Sequence, residues 1–200
     1  MSKKITVIED PRVNFSAEDR AKKKAALNQL LPLVTQATFA GQTVVNMRTA
    51  VSTAIESWKR PGAAQVPDNV KKAADDLLKK IDELYPSWGT PPGLANPIGS
   101  AGPPLVELPT PLNQRVAQLM GAIEGTSGAP TTWELDQIKI LSQKIPEAAG
   151  KTRSLTDDLN ALNKMMRDAN IPYIVMPQGG GGGGRRPGDE DDDGNDDFDN

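Results

Sequence analysis

The most specific chemical pattern in this sequence lies in an acidic run near residue 190. Aspartates at alternate positions, followed by Gly194, match the first half of a calcium-binding loop of the D-x-D-x-D-G type. The candidate ligands are Asp189, Asp191, Asp193 and Asp197. Position 12 of such a loop carries a bidentate Glu, whereas this chain has Asn200, and no helix is predicted on either side. We therefore interpret the run as a solvated acidic tail and keep the four aspartates only as cation candidates.

Paired carboxylates are the other residues whose types could carry out chemistry. Glycoside cleavage uses two carboxyl groups that face each other across a cleft. The three adjacent pairs are Asp75/Asp76, Asp82/Glu83 and Asp157/Asp158. They lie largely off the apolar stripes of their predicted helices, which favours solvated faces. Trp58, Trp88 and Trp133 could line a sugar platform, but core or capping roles suit their positions better. The sequence thus predicts no catalytic residue and no bound cofactor.

Composition narrows the chemistry further, because the chain contains no histidine and no cysteine. Histidine-based catalysis and disulfide formation are excluded. The formal net charge of −3 divides unevenly, since the segment after Pro177 holds two arginines and eight acidic residues and leaves the body at +3. This body lacks the clustered Lys and Arg of a nucleic-acid-binding protein. No signal peptide is visible, and no apolar run approaches the ~20 residues of a membrane span.

The first element that the sequence predicts is a β-strand at Lys4–Glu9. Its β-branched residues alternate with others, and Asp10–Pro11 ends the run. No later segment is a convincing partner strand, and a single strand cannot satisfy its own backbone groups. We therefore expect this strand to pair with the sheet of a β domain that lies outside the sequence, either in cis or on another chain.

Helical periodicity dominates the sequence that follows this strand. The first long helix is predicted over about 17–59, with Ser16 as its N-cap and with Pro32 kinking it or splitting off a first segment. A second helix is predicted from Pro67, which suits a first turn, to the stop at Pro86.

A Pro/Gly-rich loop is predicted over 86–111, where extended chain would be anchored by apolar residues such as Trp88. A third helix would follow and end at Gly125. A capping box of Thr131 and Glu134 predicts the start of a fourth helix.

The fourth helix is predicted to reach about Ala169, either as one bent helix or as two, because Pro146 and Gly150 interrupt its pattern. Its predicted inward residues are Leu135, Ile138, Leu141, Ile145, Leu155, Leu159, Leu162 and Met166.

These elements predict an all-α fold, an antiparallel helical bundle of about four helices, two of them long and Pro-kinked. The bundle would carry a long Pro/Gly-rich loop, a short N-terminal β-strand remnant and a disordered acidic tail. The predicted division is 1–13 as strand and linker from a missing β domain, 14–176 as the bundle, and 177–200 as the Gly-rich acidic tail.

Four short strings carry a resemblance to a known family. They are Ile5–Val13 (ITVIEDPRV), Ser57–Gly62 (SWKRPG), Gly128–Thr131 (GAPT) and Leu162–Met166 (LNKMM). Together they resemble the C-terminal helical region of bacterial proteins with a sortilin-like β-propeller of BNR (sialidase-type) repeats, which are commonly labelled glycosyl hydrolases. The resemblance covers roughly residues 4–176.

The resemblance implies a non-catalytic accessory domain that packs on or beside such a β-propeller, in cis or in trans. Any active site would lie on the propeller, so no catalytic residue transfers to this chain, and the parent protein would be exported. The sequence itself indicates no location. Two alternatives stay open: a free-standing helical scaffold or adaptor that binds a partner protein, and a glycoside-acting enzyme fragment that uses paired carboxylates.

Overall fold

A computed structural model describes residues 15–62, 65–89 and 109–176. The predicted strand at Lys4–Glu9, most of the 86–111 loop, and the candidate cation ligands Asp189, Asp191, Asp193 and Asp197 lie outside the described residues. Within the described ranges the chain forms four α-helices and a single turn of 3₁₀-helix at Tyr85–Ser87, and it contains no strand. The helices are α1 (Ala17–Trp58), α2 (Asp68–Leu84), α3 (Leu112–Gly125) and α4 (Thr132–Asp168). The predicted all-α bundle is thereby confirmed.

The helices begin where local capping chemistry places them. The Ser16 hydroxyl accepts a hydrogen bond from the Asp19 N–H at 3.0 Å, and Thr131 forms a full capping box with Glu134. In contrast, α2 and α3 each begin directly after a proline, Pro67 and Pro111, which has the backbone angle of a first turn but no N–H to satisfy.

The helices lie side by side in three columns, formed by α1, by α4, and by α2 followed by α3. Lys23 Nζ donates to the carbonyl oxygens of Glu124 and Thr126 at 2.9 and 2.6 Å, so the start of α1 lies beside the end of α3. At the other end of the molecule, ion pairs join α2 to both long helices: Arg48–Asp82 at 2.7 Å and Lys80–Asp158 at 2.8 Å. It follows that α1 and α4 run in the same direction, while α2 and then α3 run antiparallel to both and form the third column.

The third column is interrupted midway, and Trp88 fills the interruption. This indole is only 2% exposed, as the anchor role predicted for it requires. Gly41 of α1 lies against it, since a Cβ at this glycine would be 3.6 Å from the Cβ of Trp88. Among the described residues, the buried Trp88 Nε1–H finds no hydrogen-bond partner.

Both internal prolines lie within continuous helices. Pro32 does not split α1, and α4 passes through Pro146 and Gly150 as a single helix. A proline inside a helix leaves the carbonyl oxygen four residues earlier without its helical hydrogen bond. Pro32 and Pro146 are both exposed, so water can bind that oxygen.

The predicted inward face of α4 is correct except at its start. Leu135 is 41% exposed, which corrects its assignment to the apolar stripe. Glu134 takes the inward position at this turn, because it lies four residues before the buried Ile138 and its side chain closes the capping box. The other seven predicted residues of this stripe are buried.

A non-helical segment after α4 folds back onto the bundle, which the sequence did not predict. Asn170 takes a left-handed conformation (φ 55°), and the Ile171 N–H donates to the Met166 carbonyl oxygen at 2.8 Å. This is a Schellman-type helix end, in which the chain reverses at a left-handed residue. The Asn163 side chain then binds both backbone groups of Ile174, donating to its carbonyl oxygen at 2.9 Å and accepting from its N–H at 2.8 Å.

Candidate protein-docking surface

The carboxylates that the sequence singled out lie on solvent-facing sides of their helices. Asp82 pairs with Arg48, and Asp158 pairs with Lys80, on different sides of α2. In the described part of the chain no group of acidic residues is arranged to hold a metal ion. Asp82 and Asp158 therefore link helices, while Asp75 lines a groove of about 310 Å³ beside Trp58, Lys59 and Lys71.

Shifted pKa values have the same simple origin. The hydrogen bond that Lys59 donates to the Glu56 carboxylate raises the pKa of Lys59, and the one that Lys80 donates to Asp158 raises the pKa of Lys80. Lys151 lowers the pKa of Glu147 by donating a hydrogen bond to its carboxylate. Each shift stabilises the charged form of a surface group, so none of these groups is prepared to exchange a proton near neutral pH.

A concave surface lies between α3 and the first half of α4 and is called here the α3–α4 groove. Its volume is about 530 Å³. It is lined by Thr110, Arg115, Gln118, Leu119, Ala122, Trp133, Gln137 and Leu141. The apolar floor comes from Leu119 and Leu141, which are buried core residues of the two helices.

Trp133 stands at the edge of this groove and is 65% exposed. The capping box holds the first turn of α4 in place, so the position of this indole is set by a well-anchored backbone. Ile140, which is seven residues further on and hence on the same side of α4, is also exposed. Trp133 is therefore not a core residue, which corrects one of the two roles predicted for it. The cap of α4 is formed by Thr131 and Glu134.

A hydrogen bond crosses the groove. Arg115 Nη2 donates to Gln137 Oε1 at 2.9 Å and so ties α3 to α4. A second, smaller groove of about 310 Å³ adjoins the first, shares Thr110 and Arg115 with it, and is also lined by Lys144 and by the ion pair of Lys151 with Glu147. The combined surface is apolar at its floor and carries three cations and one carboxylate at one end.

Sequence reasoning missed the polar members of this surface. Arg115 and Gln137 lie on different helices and share no motif, so only the packing of α3 against α4 brings them together. A weak signal did exist for Trp133, because a large aromatic side chain one residue after the start of a helix is not on the stripe that continues through Ile138.

Searches of protein-family models, curated proteins and solved structures gave no match to this chain. The resemblance to propeller-associated helical regions therefore stays a prediction. No helix in the described ranges is long and apolar enough to cross a membrane.

Proposed function

We propose that this chain is a non-catalytic helical domain that docks on another folded domain through the α3–α4 groove. The observation that carries the proposal is the exposed Trp133 beside a groove with an apolar floor. Tryptophan and arginine are the residue types that contribute most often and most strongly to protein–protein binding. Here Trp133 and Arg115 line the same groove.

The surface also suits a protein better than a small molecule. The groove is open, and it continues into a second groove past Arg115. A buried small-molecule site would instead enclose its ligand and present several convergent polar groups. The partner that the resemblance implies is a β-propeller, either preceding this region in cis or present in trans.

The test is a binding measurement with a recombinant β-propeller domain, taken from a protein whose helical region carries the strings found at Ser57–Gly62 and Leu162–Met166. We expect saturable binding by calorimetry, and we expect Trp133→Ala to weaken it by about tenfold or more. The matched control is Phe39→Ala, which removes an aromatic side chain that is 76% exposed and does not line the groove.

Two results would contradict the proposal. Absence of binding by the intact chain would exclude this partner, and equal affinity of the Trp133→Ala and Phe39→Ala variants would exclude this surface. Circular dichroism of both variants checks that neither substitution alters the helical fold.

A further inference from the structure

The segment that Asn163 holds presents an open β-edge. In an extended chain the N–H and C=O of one residue point to the same side, and those of its two neighbours point to the opposite side. The Asn163 amide binds both groups of Ile174, just as a neighbouring strand would. The backbone groups of Tyr173 and Val175 therefore point away from Asn163.

Those outward groups are available for pairing. In the described ranges no residue forms a hydrogen bond with the backbone of Tyr173 or Val175. Ile174 is buried between the exposed Tyr173 and Val175, as the middle residue of a half-buried strand would be. Two donors and two acceptors thus stand in strand register on an apolar, β-branched segment, the arrangement that accepts an added strand.

We infer that this edge binds the Lys4–Glu9 segment of a second copy of the chain. Lys4–Glu9 is the element whose sequence predicts a β-strand and which needs a partner strand. The edge at Tyr173–Val175 supplies one, and both segments are rich in Ile, Val and Thr or Tyr, which favour paired strands.

Chain length excludes the same pairing within one copy. About 48 Å of helix separates Ser16 from Arg48 at 1.5 Å per residue. Arg48 pairs with Asp82 of α2, and Lys80 of α2 pairs with Asp158 of α4, so Arg48 and Asp158 lie at a similar height in the bundle. Ile174 lies still further along, because it is bound by Asn163, which follows Asp158 on α4. At most about 43 Å of fully extended chain lies between Ser16 and Lys4. The strand therefore falls short of its own edge and can reach only that of another copy.

Such pairing joins the Lys4–Glu9 strand of one molecule to the Tyr173–Val175 edge of the next. The two surfaces differ, so the contact is heterologous and each copy retains one free strand and one free edge. Assembly should consequently continue beyond a dimer as concentration rises, unless the geometry closes a ring.

The test uses two variants of the full chain in sedimentation velocity. Val175→Pro removes an outward N–H but keeps the Ile174 groups that Asn163 binds, and Val7→Pro disables the strand. We expect the unsubstituted chain to self-associate and each variant alone to be monomeric. A 1:1 mixture should give a dimer that grows no further, because it contains one intact strand and one intact edge. The control Val175→Thr keeps the N–H and should associate as the unsubstituted chain does.

A peptide of residues 3–11 provides a second measurement. It should dissociate the assemblies and protect the Tyr173 and Val175 amides from hydrogen exchange. The proposal is overturned if the unsubstituted chain stays monomeric at all concentrations, if Val175→Pro associates normally, or if the mixture of variants does not dimerise. Binding at the α3–α4 groove is measured separately with Trp133→Ala, which should leave self-association unchanged.

Discussion

Removal of the Asn163 side chain is the perturbation whose effect the structure specifies most closely. Its amide satisfies the N–H and C=O of Ile174, and all these groups are buried. If the segment stayed in place in Asn163→Ala, two backbone groups would be left without partners, at about 1–3 kcal/mol each. The segment can avoid this cost by leaving the bundle, because water then binds both groups.

The free energy of docking therefore sets the upper limit of the effect. Docking buries Ile171 and Ile174, which stabilises the folded state by about 1.5–3 kcal/mol for each side chain. The conformational entropy lost when the backbone of the segment is ordered opposes that gain. We expect Asn163→Ala to lower the free energy of unfolding by about 1–3 kcal/mol and to release the segment.

Urea denaturation measures the change in the free energy of unfolding, and hydrogen exchange at the Ile174 amide measures release of the segment. The matched control is Asn160→Ala, an exposed position on the same helix, which includes the same gain in helix propensity of about 0.5 kcal/mol. The difference in the free energy of unfolding between the two variants measures the contribution of the Asn163 hydrogen bonds to Ile174. A difference below about 0.5 kcal/mol, with the Ile174 amide still protected, would refute the reasoning.

Three further predictions concern packing and charge. Gly150→Ala should raise the free energy of unfolding by about 0.5–1 kcal/mol in chemical denaturation, because a Cβ there meets nothing within 4 Å and the glycine lies inside a helix. Leu159→Ala should lower it by about 2–5 kcal/mol, whereas Leu135→Ala should cost far less because that side chain is partly in water; similar losses at both sites would contradict the inward face assigned to α4. Lys151→Met should raise the pKa of Glu147 in an NMR titration. In the unsubstituted chain, where Lys151 lowers the folded-state pKa, the ion pair contributes stability above the unfolded-state pKa and loses it as pH falls through the folded value.

Element boundaries were set by local interactions, and the sequence predicted them well. Ser16 and Thr131 cap the helices they precede, and Pro67 and Pro111 begin theirs. These interactions join residues within one turn, so their spacing in the sequence is their spacing in space. The apolar stripes follow from the helical period for the same reason, which is why seven of the eight inward residues predicted for α4 are buried.

Only the tertiary structure decided which surfaces are open. Trp133 is exposed because α3 leaves a groove beside it, and Arg115 meets Gln137 across that groove. Neither fact has a signal in the order of the residues, since each depends on how two helices pack at a distance in sequence.

The segment after α4 shows most clearly which features the sequence determines and which depend on packing. Its composition, Ile171–Pro172–Tyr173–Ile174, predicts no helix, and nothing in it places the segment against α4. Its position is decided by the left-handed turn at Asn170 and by one amide on α4 that replaces a neighbouring strand. A side chain can satisfy backbone groups eleven residues away only when the fold brings them within hydrogen-bond distance, so the sequence determined the helices while packing determined what the helices hold.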